Sequence, residues 1–359
     1  MSVNSVPPTT KPQRIAVFRA LQLGDVLCAI PALRALRAWA PRSHVTLIGL
    51  PWAAELVPRF RRYVDDFVPF PGFPGFPERD AAIEAFFGFL HAMRRREFDL
   101  VLQLHGSGRF SNPLVALFAA KQYVGFGMGG ERVGDAFTVV PWPEEGPELM
   151  RLLTLTEALG ARTQGTGLEL PLTREDWAEW EALAACAALY RRPYVCIHPG
   201  ARLASRRWPL DRFAEVGRVL ADDGWRVVVT GAASERDLTG ELARRIGGDA
   251  ICVAGLTTLG SLGALFARST LLVANDTGVS HVAAALRAPS VIVASGSDVN
   301  RWAPLDRERH RVLWHDVACR PCACDACPVE GHPCAMGVGV DAVVANARDL
   351  LKRRLRHAA

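Results

Sequence analysis

The first half of the chain alternates short, continuous apolar runs with longer amphipathic stretches. Residues 14–18 (RIAVF), 44–49 (HVTLIG), 64–68 and 99–104 (DLVLQL) are the short runs expected of strands covered on both faces. Between them, residues 26–40 set Ile30, Leu33 and Leu36 at helical spacing, and residues 80–96 put Ile83, Phe86, Phe87 and Leu90 on one helical face. This alternation predicts a parallel sheet covered by helices.

The pattern changes between about residues 141 and 192, where helical stretches 148–159 and 174–190 flank a Gly-containing piece. Alternation then resumes. Strands are expected at 193–197, 225–230, 250–254, 270–274 and 289–294, and helices at 211–221, 234–246, 258–267, 282–286 and 341–357. No short-period repeat is present, so the two halves share an architecture and not a sequence. The expected organisation is a tail at 1–13, a Rossmann-like domain at 14–170, a connection at 171–192, a second Rossmann-like domain at 193–340, and a final helix at 341–359 that returns to the first domain.

Composition supports two domains. A length of 359 residues exceeds the roughly 150 typical of one domain, and 50% hydrophobic against 22% charged residues excludes disorder as the main state. The balance of 42 Lys+Arg to 37 Asp+Glu leaves only +5, too mild and diffuse to suggest nucleic acid. No apolar run approaches the roughly 18 residues that span a bilayer. Residues 1–13 are Pro/Thr/Ser-rich without an apolar segment, which predicts a flexible tail on a cytoplasmic protein.

In open α/β sheets, ligands bind beyond the carboxyl ends of strands, so polar residues directly after strands carry the candidate chemistry. Gly24-Asp25 ends the first such loop; Asp25 fits both a helix N-cap and a carboxylate that accepts a proton from a hydroxyl. After the strand at 270–274, Asp276, Thr277, Gly278 and His281 open a helix, where free amides and the helix dipole suit an anion. Asp or Thr could equally cap that helix, and His281 could be a packed core histidine. The loop with His198, Gly200, Arg202, Ser205, Arg206 and Arg207 before Trp208-Pro209 gathers cations ahead of a helix start, which a bound anion would relieve; a solvated basic loop is the alternative. Glu235, in the turn after the next strand, could meet a nucleoside. Neither G-x-G-x-x-G nor G-x-x-x-x-G-K-[ST] is present after the first strand, which disfavours a dinucleotide oxidoreductase and a P-loop enzyme.

Three segments, R-I-A-V-F-R-A-L-Q-L-G-D-V-L-C-A-I-P-A-L-R-A-L, H-P-G-A followed by R-R-W-P, and N-D-T-G-V-S-H-V-A-A-A-L, occur in that order. Together they resemble glycosyltransferase family 9, the ADP-heptose:lipopolysaccharide heptosyltransferases. The resemblance implies a GT-B fold, with two Rossmann-like domains facing across a cleft and the nucleotide on the second. It also implies inversion at the anomeric carbon without a catalytic cofactor. Asp25 falls on the family's proposed general base, and Asp276, Thr277, Gly278 and His281 on its donor-binding block. Arg206 stands where the family usually carries a phosphate-binding Lys, a departure that changes shape and reach.

The implied partners are a nucleotide sugar, ADP-heptose foremost, and a glycan or glycolipid acceptor of the lipopolysaccharide-core kind. Arg61 among Arg59, Phe60, Arg62 and Tyr63, and His105 and Arg109 after the strand at 99–104, are the candidate acceptor contacts, whereas Arg94, Arg95 and Arg96 read as a solvated face. A sugar-nucleotide 2-epimerase of the same fold and a non-catalytic sugar-nucleotide- or metal-binding partner are the alternatives.

Nine cysteines divide into two groups. Cys28, Cys186, Cys196 and Cys252 lie in apolar segments and read as packed thiols. Cys319, Cys322, Cys324, Cys327 and Cys334 crowd into one loop with His332, and thiolates so spaced suit structural zinc or iron, or remain reduced structural thiols. Similar segments close some family members, and related autotransporter heptosyltransferases hold iron through cysteines. The basic end of the final helix, Lys352, Arg353, Arg354 and Arg356, could touch the cytoplasmic face of the inner membrane.

Overall fold

A computed structural model describes residues 11–128, 134–186, 189 and 192–358. The chain divides into two units between Leu168 and Glu169. The first ten residues of the expected tail lie outside the described residues, as does the side chain of Cys186. Residues 11–13, expected within that tail, are held in place. The Lys11 ammonium lies 3.7 Å from the centre of a Trp39 ring, and the Gln13 amide donates to the Asp99 carboxylate at 2.8 Å.

The first unit is built on strands β1 (Arg14–Phe18), β2 (His44–Gly49), β3 (Asp66–Pro69), β4 (Leu100–Gln103), β5 (Gln122–Gly127) and β6 (Phe137–Pro141). They form one parallel sheet in the order β3-β2-β1-β4-β5-β6. Central β1 pairs on both sides, with Ile15 opposite Val45 and Leu100. Helices α1 (Leu23–Trp39), α2 (Ile83–Arg95), α3 (Ser111–Ala116) and α4 (Glu148–Ala158) accompany it. One face of the sheet packs an aromatic-rich core in which Phe18, Phe70, Phe76, Phe86, Phe89 and Phe118 are buried together.

The second unit repeats this plan. Strands β7 (Tyr194–His198), β8 (Arg226–Val229), β9 (Ile251–Cys252), β10 (Leu271–Asn275), β11 (Ser290–Val293) and β12 (His310–Leu313) are parallel in the order β12-β11-β10-β7-β8-β9. Its helices are α5 (Arg174–Cys186), α6 (Leu210–Asp222), α7 (Arg236–Ile246), α8 (Leu259–Arg268), α9 (Gly278–Ala285), α10 (Val299–Trp302), α11 (Pro333–Met336) and α12 (Val340–Ala358). In both units the strand made first is central, flanked by the second and the fourth, so the order reverses between β1 and β4 and again between β7 and β10.

Two segments pack differently from the sequence expectation. Helix α5, within the connection expected at 171–192, contributes to the second unit. The α8 cap Thr258 donates its hydroxyl to Glu179 of α5 at 2.6 Å, and Arg268 of α8 lies over the rings of Trp177 and Trp180. Helix α12, expected to return to the first domain, buries Val343, Val344, Ala347, Leu350 and Leu351 in the second unit's own core. Its apolar stripe is spent there, against α6 and the strands beneath.

Candidate functional site

Each unit places its candidate residues at its own reversal point, where adjacent crossovers leave on opposite faces and open a crevice at the strand ends. In the first unit this point carries Arg19, Asp25 and His105. Gln22 occupies the N-cap of α1 without a side-chain cap bond, so Asp25 sits inside the first turn and not at the N-cap position weighed from sequence. The Asp25 carboxylate is 21% exposed and lies 3.8 Å from the Arg19 guanidinium.

Arg19, directly after β1, is 1% exposed. Its Nε donates to the Asp25 carbonyl at 2.8 Å, a second nitrogen donates to the Leu104 carbonyl, and a third to the Glu148 carboxylate at 3.0 Å. Glu148, in the first turn of α4, is equally buried. One guanidinium therefore ties the start of α1, the end of β4 and the start of α4 together. Sequence reading missed both residues; the position of Arg19 directly past β1, with the other strand-end polar groups, was the available signal.

His105 is 9% exposed. Its Nδ1 accepts from the Ala20 amide at 3.3 Å, its ring stacks on Phe18 with centroids 5.3 Å apart, and its Nε2 stands 3.9 Å from the Glu78 carboxylate. Burial and the neighbouring Arg19 charge push its pKa down to about 3, against the attraction of Glu148, so the ring is neutral near pH 7. Arg109 is exposed and lies over Phe110, and exposed Arg61 ends the 3-10 helix Pro51–Phe60.

In the second unit, the strand ends are joined by Asn275, which is fully buried. Its side chain accepts from the Trp208 amide at 2.9 Å and donates to the Pro199 carbonyl at 2.7 Å. That single amide fixes the His198-Pro199-Gly200 turn against the Trp208-Pro209 helix start, a bridging role not foreseen from sequence. His198 is buried, its Nδ1 3.0 Å from the Thr230 hydroxyl; burial lowers its pKa while Glu235 opposes the shift. Glu235 accepts from the Ala232 amide at 2.9 Å. A Cβ on Gly200 would stand 2.2 Å from a Glu235 carboxylate oxygen, so the bare glycine admits that carboxylate.

Thr277 is the N-cap of α9, yet its side chain makes no cap bond. Among the described residues its buried Oγ1 has no hydrogen-bond partner, nor have the buried hydroxyls of Ser295 and Ser297 just past β11. The Ser280 hydroxyl donates to the Thr277 carbonyl at 2.7 Å and lies 3.3 Å from the Asp276 carboxylate, and His281, 5% exposed, meets Trp302 edge-on at 6.2 Å. Arg206 closes the short 3-10 turn Ala204–Arg206. It donates to the Cys322 carbonyl at 2.7 Å and to the Ser295 carbonyl at 3.5 Å. Burial pulls its pKa down, and nearby Asp276 opposes that shift. Hydroxyls, a guanidinium and the first amides of α9, which lack intrahelical acceptors, thus converge beside β10 and β11.

The cysteine loop is fastened to this turn by its backbone. The Ser205 hydroxyl donates to the Cys324 carbonyl, the Ser205 amide to the Asp325 carbonyl at 3.0 Å, and His332 Nε2 lies 3.0 Å from the Ser205 carbonyl. Cys319 is exposed, Cys322, Cys324 and Cys327 are half-buried, and Cys334 is buried; all are free thiols. Among the described residues no three His, Cys, Asp or Glu side chains gather as metal ligands. Of the two readings the sequence left open, a zinc or iron ligand set and reduced structural thiols, the described residues show no assembled ligand set, and His332 faces Ser205.

Two parallel α/β units of the same strand order, each with polar residues at its reversal point, make a GT-B-like fold, and similarity to known proteins makes it a glycosyltransferase. The chain resembles lipopolysaccharide heptosyltransferase 2 of Escherichia coli K12, at 27% identity over 307 residues, 82% of this chain and 86% of that protein. The solved E. coli ADP-heptose lipopolysaccharide heptosyltransferase II superposes with a TM-score of 0.74 at 22% identity, covering 96% of this chain and all of that one. A family 9 glycosyltransferase from Veillonella parvula superposes at 0.79 with 20% identity, over 95% and 98%. Residues 86–332 match the model of glycosyltransferase family 9 (heptosyltransferase), and the chain belongs to that family.

Proposed function

We propose that the protein transfers a heptose from ADP-heptose, with inversion, to a hydroxyl of a lipopolysaccharide-core or related glycolipid acceptor, with Asp25 as general base. The observation that carries the donor half is the trio of buried, unpartnered hydroxyls on Thr277, Ser295 and Ser297 beside Arg206 and the α9 N-terminus. Buried hydroxyls without partners are costly, and a diphosphate would satisfy them. Arg206 uses two of its nitrogens on carbonyls, and a guanidinium carries five N–H donors in all. As the sugar–phosphate bond breaks, negative charge on the leaving diphosphate would be met by these groups. Asp25 takes the acceptor proton as the hydroxyl attacks the anomeric carbon.

Calorimetry with ADP tests the donor half. Thr277→Val should weaken binding by roughly ten- to 150-fold, the loss of one hydrogen bond to a charged group, while the free protein's melting temperature stays level or rises because an unpaired hydroxyl is gone. Equal affinity in the variant overturns the assignment. For the base, Asp25→Asn should abolish transfer while ADP-heptose still binds, and retained turnover refutes it. Product analysis separates the 2-epimerase reading, which would yield an altered sugar without acceptor.

A further inference from the structure

Helix α2 turns an apolar face outward. Its inner positions Phe86, Phe89 and Met93 are buried in the first unit's core, so the fold is served by that side alone. On the other side Ile83 and Phe87, one turn apart, are 59% and 68% exposed. Ala85, Gly88, His91 and Ala92 are also exposed, and no Asp, Glu, Lys or Arg occurs between Glu84 and Arg94. A solvated helix face normally carries charge along its length.

The exposed apolar surface continues onto α3, which is fastened to α2 by the Phe89–Phe118 ring contact at 5.6 Å and by the Arg94 Nε bond to the Leu117 carbonyl at 2.9 Å. Phe110, just before α3, is 56% exposed, and Leu117, just after it, 37%. Large apolar side chains scattered singly need no explanation, but several on two linked elements do. The rim is basic at its far end and on α3's side, where Arg94 and Arg95 close α2 and Arg109 lies over the Phe110 ring at 5.4 Å, with exposed Glu84 the one acid of α2, at its start.

We infer that the α2–α3 face docks on an anionic lipid bilayer, Ile83, Phe87, Phe110 and Leu117 entering the headgroup boundary while Arg94, Arg95 and Arg109 meet lipid phosphates. Aromatic and aliphatic residues on one helix face with arginines at its edge are the composition of an interfacial helix. Charge selects this occupant over a second copy, which would bring the same arginines against one another. The role rests on the glycolipid reading of the acceptor, because a lipid-anchored hydroxyl is reached only from the membrane surface. It also moves the expected membrane contact away from α12, whose apolar residues are consumed by the second core.

The test is flotation of the full chain with acceptor-free vesicles of phosphatidylcholine and of an equal mixture with phosphatidylglycerol. Binding to the mixed vesicles is expected, weakening with salt. The Ile83→Ser/Phe87→Ser pair and Arg95→Glu should each lower partitioning by about tenfold or more, with melting temperatures unchanged and transfer to a water-soluble acceptor fragment intact. Lys352→Glu on α12 should leave partitioning as it was. Absence of vesicle binding, or partitioning indifferent to the serine pair, overturns the proposal. So does self-association that the serine pair abolishes, which would assign the face to a second copy. Since the vesicles hold no acceptor, failure of the Asp25 assignment would leave these outcomes untouched.

Discussion

Arg19 carries more of the first unit's geometry than any residue foreseen from the sequence. A guanidinium that is 1% exposed is tolerable only because Glu148 and two carbonyls receive it. Removing Glu148 leaves the buried charge facing only the more distant, partly exposed Asp25 carboxylate at 3.8 Å. Glu148→Leu should therefore destabilise by about 3–5 kcal/mol in denaturant unfolding, and the Arg19→Met/Glu148→Leu double variant should recover part of that loss. If the two losses simply add, the pair is not coupled. Asp25 itself was legible, because a carboxylate at a strand-to-helix turn stands out in sequence. The partner that orients its backbone was not, since an arginine after an apolar run looks like the first solvated residue.

At the scale of elements, the sequence reading missed β5, β6 and β12; β6 is an ordinary apolar run, while the other two have broken patterns. β5 contains Gly125, where a Cβ would stand 2.8 Å from the Asn112 side chain and 3.1 Å from Gln103. Asn112 accepts there from Gln103 at 2.8 Å and donates to the Phe126 carbonyl at 2.6 Å. A buried polar network thus replaces the expected β-branched run. β12 is short and carries His310 and Arg311, so no apolar run announces it. The cysteine loop shows the converse: its composition suggested side-chain chemistry, whereas its contacts to the Ala204–Arg206 turn are made by backbone carbonyls. Ser205→Ala should consequently weaken ADP binding by about fivefold, one neutral hydrogen bond's worth, through a loosened Arg206. Calorimetry showing no change would mean that the loop does not set that residue.

Across the whole molecule, three buried histidines make stability depend on pH in one direction. His105 is pushed down to about 3 by burial and by Arg19, and His310, bonded to Ser290 at 2.8 Å, to about 4, chiefly by burial. His198 shifts the same way. Each binds its proton more readily in the unfolded chain, near pH 6.5, so stability is full above that value and falls as pH drops towards the folded pKa values. Both units contain such a histidine, and thermal unfolding should shift to lower temperature between pH 6.5 and 4.5 in each. His310→Asn should flatten the second unit's dependence by about one proton; an unchanged slope would show that the ring is already protonated when folded.

The packing of α12 also sets an order of events during synthesis. The first unit has all six strands and α4 by residue 158, before any strand of the second exists. Since domains fold as units, amino-terminal first, it can consolidate on the ribosome. The second must wait for Val343 to Leu351 to fill its core, leaving its own early strands longest in need of protection while the chain is still being made.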